Sequence, residues 1–469
     1  MAKVLLSFMN GLENHGPAEV PCFYEAFIRG LSSNGNEVLA VHRFFGSRFD
    51  DKSTEAMQLA ESVKRFSPDV VIAFNNFGPD YAKFLDCPIL VYEVDSPLYY
   101  CNLDAIRARP DRYRYLVVQE ESVSVLAARF SVPKTCARVA PFFSEILAQP
   151  VEKTINISFI GSSFMGEGLH WKDFRFANPS VRAARLYGEL LRDVRNNPFA
   201  DPSALVNKYN SLGLSPADIG EIIRSLSAEH RILTLSAISD LGLKLFGTTD
   251  WLSAIQSNSD LYCAYDPRRL FSLKQNQDLY NASKICLNVN HLQARSGFSW
   301  RVCDIMASSG CLVAEYKDNL TRYFPDVPIP TFTNRFEARE QCLRILREDH
   351  LREDIVTASQ MAIDRGFRFR HILPIIEDAA GVPLAGEGDG AVEFLQLDVA
   401  PRQRTVRLIK KLPVRQAKEG LRCMVAFSKQ KQQKQMKKME HNARKYLEHA
   451  AFADESSRYW QLSCGDVPC

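Results

Sequence analysis

Several common sequence signatures are missing from this chain of 469 residues. Its start, MAKVLLSFMNG, passes into Gly, Asn and Glu residues without the apolar core or cleavage site of a secretory signal. No stretch reaches about 18 uncharged apolar residues, so the sequence predicts no membrane-spanning helix. The 12 cysteines form no CxxC pair and mostly lie within apolar runs. This usage predicts buried thiols in a reducing compartment, and we expect a cytoplasmic protein.

Motifs for cofactor and metal binding are missing as well. No strand-like run is followed by GxGxxG with an acidic residue about twenty positions later, and GSSFMGEG imitates that pattern only loosely. There is no DxD pair, since Asp50 and Asp51 are adjacent, and no His or Cys cluster has metal-ligand spacing. We therefore expect no resident cofactor and no metal ion.

The composition is that of a globular protein, with 46% hydrophobic and 24% charged residues, but the charge is uneven. Residues 401–450 contain 15 Lys and Arg against 3 acidic residues, so this segment carries +12 and the rest of the chain −9. After Gly381 the sequence is Gly-rich, which predicts a linker and a basic helical tail over 381–469. The tail is either a solvated helix or a segment that binds an acidic partner or an anionic membrane surface. Its Lys-rich run contains no aromatic residue, which argues against specific nucleic-acid binding.

Apolar runs of strand length alternate with helical stretches along most of the chain. One such series lies within 1–150 and a second within 151–380, where a polar helical insert occupies about 175–230. The alternation predicts an α/β fold of two tandem, doubly wound, parallel-sheet domains of Rossmann-like type. A cleft between the two domains would hold the ligand.

The stretch Asp278–Phe324 predicts a helix end, a strand, a polar loop, a helix and a second strand. Ser299 is the predicted N-cap of the helix, with Arg301, Asp304 and Ser308 on a face apart from the apolar one. A helix N-terminus beside an arginine suits a phosphate or diphosphate. The alternative is that Ser299 is only a cap and Arg301 pairs with Asp304. The apolar face consists of Phe298, Val302, Ile305 and Met306.

Four stretches of the second series resemble a known family. In order they are ISFIGSS, GLKLFGTTDW, LYNASKICLNVN and WRVCDIMASSGCLVAEYKDNLTRYF. Over about 155–380 they resemble the C-terminal half of the CgeB-like glycosyltransferases of the spore-maturation type, and EVDSPLYY resembles the first half more loosely. That family belongs to the two-domain GT-B enzymes. The resemblance implies metal-independent transfer of a hexosyl sugar from a nucleotide-diphosphate-sugar to an unidentified glycan, protein or lipid-linked acceptor.

The resemblance also implies a donor site in the second domain. Its candidate residues are Gly161, Ser162, Gly247, Thr248, Tyr280, Lys284, Asn288, Ser299, Arg301 and Asp304. Arg301 is the expected diphosphate contact, and Asp304 takes the second place of the family's Glu-x7-Glu signature. Ser296 stands where the first acidic residue of that signature would be. The alternative for Gly161 and Gly247 is that they only end strands.

An inverting transferase needs a base for the acceptor hydroxyl, and we expect it in the first domain. The candidates are Asp95, which ends a strand, and His15, which lies in the Gly- and Pro-rich loop after the first strand. The alternatives are a turn cap for Asp95 and an ordinary loop residue for His15.

Two other functions stay open at this point. A nucleotide- or sugar-binding protein of GT-B type without catalysis is compatible with Ser296 in place of an acidic residue. An NAD(P)-dependent oxidoreductase is compatible with tandem α/β domains but lacks its glycine motif.

Overall fold

The structure is a computed structural model that describes residues 1–10, 20–44, 54–75, 78–83, 85–100, 103–164, 181–248, 250–255 and 258–396. The basic tail, His15 and the start of the polar insert lie outside these residues, so what the sequence indicates about them stays a prediction. Residues Met1–Asp398 form one compact unit. In its described part the chain builds one seven-stranded and one six-stranded sheet, which confirms the predicted α/β class.

The first sheet is built mainly from the N-terminal series of apolar runs. Its strands are β1 (Lys3–Asn10), β2 (Glu37–Phe44), β3 (Val70–Phe74), β4 (Ile89–Tyr92), β5 (Tyr113–Val117), β6 (Ala137–Val139) and β13 (Val392–Gln396). They lie in the order β13-β2-β1-β3-β4-β5-β6, with every pair parallel. The helices are α1 (Cys22–Ser32), α2 (Thr54–Phe66), α3 (Gly78–Tyr81), α4 (Leu103–Ala108) and α5 (Glu120–Phe130). β3 and β4 are buried along their whole length, as strands covered by helices on both faces should be.

The second sheet has the same construction. Its strands are β7 (Ile155–Ile160), β8 (Leu243–Phe246), β9 (Tyr265–Asp266), β10 (Ser283–Asn288), β11 (Cys311–Glu315) and β12 (Thr331–Phe332). They lie in the parallel order β12-β11-β10-β7-β8-β9. The helices after β8 are α9 (Trp251–Ile255), α10 (Leu273–Ala282), α11 (Arg301–Ala307), α12 (Asp318–Tyr323), α13 (Arg335–Arg347), α14 (Asp349–Gly366) and α15 (Phe369–Ala380).

Between β7 and β8 the insert forms three helices, α6 (Val181–Asn196), α7 (Pro202–Lys208) and α8 (Pro216–Ser236). The start of α8 is fixed by a capping box, in which Ser215 and Asp218 satisfy each other's backbone N–H groups. Side chains early in α8 pack within the insert, whereas Ile232 and Leu235 pack in the core of the second sheet. The last turns of α8 therefore pack against the strands of the second half.

The chain returns to the first half after the second sheet. Ile372 and Ile376 of α15 pack in one core with α1 residues, and β13 then pairs with β2 through Val392 and Val38. This return corrects the expectation that 381–469 is only linker and tail, because 392–396 is an edge strand of the first sheet. No helix of the described residues is long and apolar enough to span a membrane.

The two halves share a continuous apolar core. The ring of Phe23, on α1, stacks against that of Trp300, just before α11, with centroids 5.4 Å apart. Phe142, from the segment that joins the halves, contacts both rings. Around this contact the loops after β4 and β5 meet the loop after β10, so the carboxyl ends of the two sheets approach each other.

Candidate functional site

The loops after β7 and β8 are held together by Asp250. One carboxylate oxygen accepts hydrogen bonds from the Ser163 N–H at 2.7 Å and the Phe164 N–H at 3.1 Å. The other accepts the Thr248 hydroxyl. Sequence reasoning found Ser162 and Thr248 in these loops but missed Asp250, which follows directly in the motif GTTDW.

Gly161 and Gly247 do more than end their strands, because the two backbones pass close to each other. A Cβ at Gly247 would lie 2.1 Å from the Gly161 carbonyl oxygen and 2.7 Å from the indole nitrogen of Trp251. That indole donates to the Gly161 carbonyl at 2.6 Å. The ends of β7 and β8 therefore approach each other closely, and only glycine fits at residue 247.

Arg231, in the last turns of α8, is the buried cation at these strand ends and was missed from the sequence. It is 6% exposed, and its guanidinium donates to the Ser162 carbonyl at 2.7 Å and the Val289 carbonyl at 2.6 Å. The guanidinium carbon lies 4.2 Å from the centre of the Phe164 ring. Its Nε–H has no hydrogen-bond partner among the described residues.

Arg301 is the first residue of α11 and lies partly buried over the ring of Trp300 at 5.2 Å. Among the described residues it has no ion-pair partner and donates no hydrogen bond. Burial first, and the like charge of Arg301 second, lower the pKa of Arg231 to about 9. Arg231 therefore stays cationic at neutral pH, and the charge of Arg301 acts on it, an arrangement that suits an anion with two or more charges.

Asn288, at the end of β10, links the strand to the segment before α11. The Ser299 hydroxyl donates to the Asn288 side chain at 2.9 Å, and the Asn288 amide donates to the Asn290 side chain at 3.2 Å. Asn290 is 3% exposed, and its own amide nitrogen has no partner among the described residues. The prediction that Ser299 caps the helix is wrong, because Trp300 holds the N-cap position without a side-chain cap.

A charged group lies at the end of the neighbouring strand β11. The Glu315 carboxylate accepts the Asn290 N–H at 2.9 Å and pairs with Lys317 at 3.3 Å and with His230 at 3.5 Å. Burial by itself raises the pKa of Glu315, but these neighbours outweigh it and lower the pKa to about 2. Glu315 is thus a charged carboxylate that orients the loop after β10, and sequence reasoning did not include it.

Three further predicted donor residues are Asp304, Tyr280 and Lys284. Asp304 is 2% exposed and accepts from the Ser144 hydroxyl at 2.6 Å and the Cys22 thiol at 3.6 Å. These bonds join α11 to the first half, and burial raises the pKa of Asp304 to about 6. Tyr280 is 2% exposed within the core, and Lys284 lies near the amino end of β10, away from the carboxyl edge. Lys284 is therefore corrected as a donor-site residue, whereas the assignments of Asp304 and Tyr280 stay predictions, because the charge of Arg301 acts on both side chains.

Asp95 lies where it was expected, just after β4 and facing the second half. One carboxylate oxygen accepts from the Asn75 amide at 2.8 Å, and the other accepts from the Gln293 amide at 2.9 Å. The second candidate base, His15, lies outside the described residues. Within the described residues no group of three or more His, Cys, Asp or Glu could hold a metal ion, and metal independence stays a prediction.

Comparisons with known proteins fit this architecture. Residues 229–378 match the model of a family described as glycosyl transferase-like. The sucrose-phosphate synthase tll1590 from Thermosynechococcus elongatus matches over 81% of this chain and 98% of its own, with 10% identity and a TM-score of 0.50. This likeness establishes a shared GT-B fold.

Two further solved structures match over 81% of this chain at lower scores. One is a glycosyltransferase from Rickettsia africae ESF-5, covered over 98% at 11% identity with a TM-score of 0.45. The other is Anabaena Alr3699/HepE in complex with UDP and glucose, covered over 100% at 9% identity with a TM-score of 0.48. No curated protein matches the chain.

Proposed function

We propose that this chain is a GT-B glycosyltransferase of the CgeB-like type, which moves a hexosyl group from a nucleotide-diphosphate-sugar to an acceptor hydroxyl without a metal. The observation that supports this proposal most strongly is the pair Arg231 and Arg301 at the carboxyl edge of the second sheet. Neither has a carboxylate partner among the described residues, and the buried Asn290 amide nearby lacks an acceptor. A diphosphate supplies the missing negative charge and the missing acceptors together.

The proposed reaction is a displacement at the anomeric carbon of the donor sugar. The acceptor hydroxyl oxygen forms the new bond to that carbon, and the bond from the carbon to the diphosphate oxygen breaks. The diphosphate leaves with increased negative charge, which Arg231 and Arg301 stabilise. The hydroxyl proton passes to Asp95, whose carboxylate lies at the facing edge of the first half.

Asp95 can accept this proton while it keeps both of its present hydrogen bonds. Each carboxylate oxygen has two lone-pair directions, and the Asn75 and Gln293 amides use one on each oxygen. The matching of residues 229–378 to a glycosyl transferase-like family supports the proposal for the donor half. The place of Asp95 at the edge that faces the second half supports its assignment as the base.

A thermal-shift panel tests the donor part of this proposal. We expect at least one of UDP, GDP and dTDP to raise the unfolding temperature, with CMP and NAD as comparisons. Stabilisation by NAD alone would favour an oxidoreductase. Slow hydrolysis of the matching nucleotide-sugar without acceptor separates an enzyme from a binding protein. The binding protein is the second candidate because Ser296 stands where relatives have an acidic residue.

A further inference from the structure

We infer that Gln293, in the loop after β10, positions the base Asp95 of the opposite half, so that the donor half orients the residue that activates the acceptor. This inference rests on the proposed function. The Gln293 Nε2 donates to Asp95 Oδ1 at 2.9 Å, and the Ser96 N–H donates to Gln293 Oε1 at 2.9 Å. One side chain of the second half thus contacts two successive residues of the first.

The orientation of the Gln293 amide follows from its partners. The Ser96 N–H can only donate, so the oxygen of the Gln293 amide must face it. The nitrogen then faces Asp95, which accepts its hydrogen bond. The opposite orientation would bring two donors together at Ser96 and two acceptors together at Asp95.

The other side of Asp95 is fixed within the first half. Asn75 follows β3 with a left-handed backbone, at φ 56°, and its side-chain oxygen accepts from the Val94 N–H at 2.9 Å and the Asp95 N–H at 2.7 Å. Its amide nitrogen donates to the second Asp95 oxygen at 2.8 Å. A left-handed residue costs conformational free energy, which its three hydrogen bonds at this strand end offset. Gln293 is the partner that comes from the opposite half.

Gln293 is itself held in place by residues of both halves. The Gln119 amide of the first half donates to the Gln293 carbonyl at 2.9 Å, and the Gln293 N–H donates to His291 Nδ1 at 3.1 Å. The loop begins at Val289, whose carbonyl accepts from Arg231 at 2.6 Å. A single loop of five residues, 289–293, therefore runs from the proposed diphosphate contact to the proposed base.

The test compares Gln293→Glu with Arg322→Gln in the full chain. Gln293→Glu keeps the acceptor for Ser96 but places an oxygen against Asp95, whereas Arg322→Gln breaks another contact between the halves, the exposed ion pair with Glu120, which does not involve Asp95. We expect Gln293→Glu to lower kcat for transfer about tenfold or more, with acceptor KM, donor hydrolysis and nucleoside-diphosphate affinity within about twofold. Arg322→Gln should leave all four quantities unchanged. An active Gln293→Glu enzyme with unchanged kcat overturns the inference.

A swap of the two side chains tests the contact without any substrate. In Asp95→Asn/Gln293→Glu the new Asn amide can donate to the new Glu, and its oxygen can still accept from Asn75. We expect the double variant to regain most of the unfolding temperature that Gln293→Glu loses. If the double variant is no more stable than Gln293→Glu, the contact between residues 95 and 293 does not position Asp95. The inference then fails, while the proposed function still stands. A wild type that transfers no sugar from any donor overturns the proposed function, and this inference with it, whatever the swap shows.

Discussion

Arg231 and Arg301 bring two guanidinium charges to one edge of the second sheet, and among the described residues neither has a carboxylate within ion-pair distance. Burial is the main cause of the lowered pKa of Arg231, and the like charge of Arg301 lowers this pKa further, although Glu315 and Asp250 oppose the shift. Such an arrangement is expected where an anionic ligand completes the site. The assignment of a diphosphate to this edge depends on this pair.

Asp95→Asn should separate donor binding from transfer. The amide keeps the shape of the side chain but cannot take up the acceptor's proton, so kcat should fall about 100-fold or more, the scale of a general base. Nucleoside-diphosphate affinity should stay unchanged, because Asp95 belongs to the opposite half. Steady-state kinetics and calorimetry measure the two quantities, with Asp104→Asn on the exposed start of α4 as the control. Normal turnover by Asp95→Asn would remove Asp95 as the base.

Gly247→Ala should damage both stability and donor binding. The added methyl group would lie 2.1 Å from the Gly161 carbonyl and 2.7 Å from the Trp251 indole, and Trp251 is fully buried. We expect the free energy of unfolding to fall by about 1–3 kcal/mol in denaturant titrations. The matched control is Gly188→Ala within α6, where a Cβ meets nothing within 4 Å. This control should gain about 0.5–1 kcal/mol, and equal losses in both variants would contradict the close approach of the two loops.

Glu93→Gln should change how stability depends on pH. Glu93 is 1% exposed, and burial raises the pKa of its carboxyl to about 8, although the Ser122 hydroxyl and Val118 N–H bonds oppose this rise. Since the folded pKa exceeds the unfolded one, the folded state binds more protons between about pH 5 and 8. Stability of the wild type should therefore fall as the pH rises through this window.

The glutamine variant stays neutral at every pH and can keep both contacts of the side chain. Thermal unfolding at pH 5 should give similar midpoints for the two proteins. At pH 8.5, roughly above the folded pKa, the variant should be more stable by the order of a few kcal/mol. Parallel curves for the two proteins across the window would show that Glu93 does not titrate there.

The order of strands and helices was predictable because it depends on local patterns. Runs such as DVVIAF and PILVYE can be buried on both faces only as strands of a covered parallel sheet, and β3 and β4 are fully buried. The residues of β13 do not form an apolar run of this kind, so the sequence did not predict this strand. It is short, follows a Gly-rich segment and is a strand only because β2 offers a free edge far away in sequence.

The site was predictable where its residues follow strands directly. Gly161, Gly247 and Asn288 lie at the ends of apolar runs, and parallel strands bring these ends to one edge. Arg231 gave no signal, because its role depends on a helix from the insert that reaches this edge. The partners of Asp304 gave no signal either: it was assigned through the resemblance, and its hydrogen bonds from Ser144 and Cys22 join residues far apart in sequence.

The most direct test of the central claim is a calorimetric titration of the stabilising nucleoside diphosphate into three proteins: the wild type, Arg301→Ala and Arg335→Ala. Arg335 is a matched control, because it also begins a helix and lies over the ring that follows it, at 4.9 Å. If a diphosphate lies between Arg231 and Arg301, Arg301→Ala should weaken binding by about 2 kcal/mol, roughly 30-fold in Kd, and Arg335→Ala should leave it unchanged. Equal affinity in all three proteins would contradict the claim.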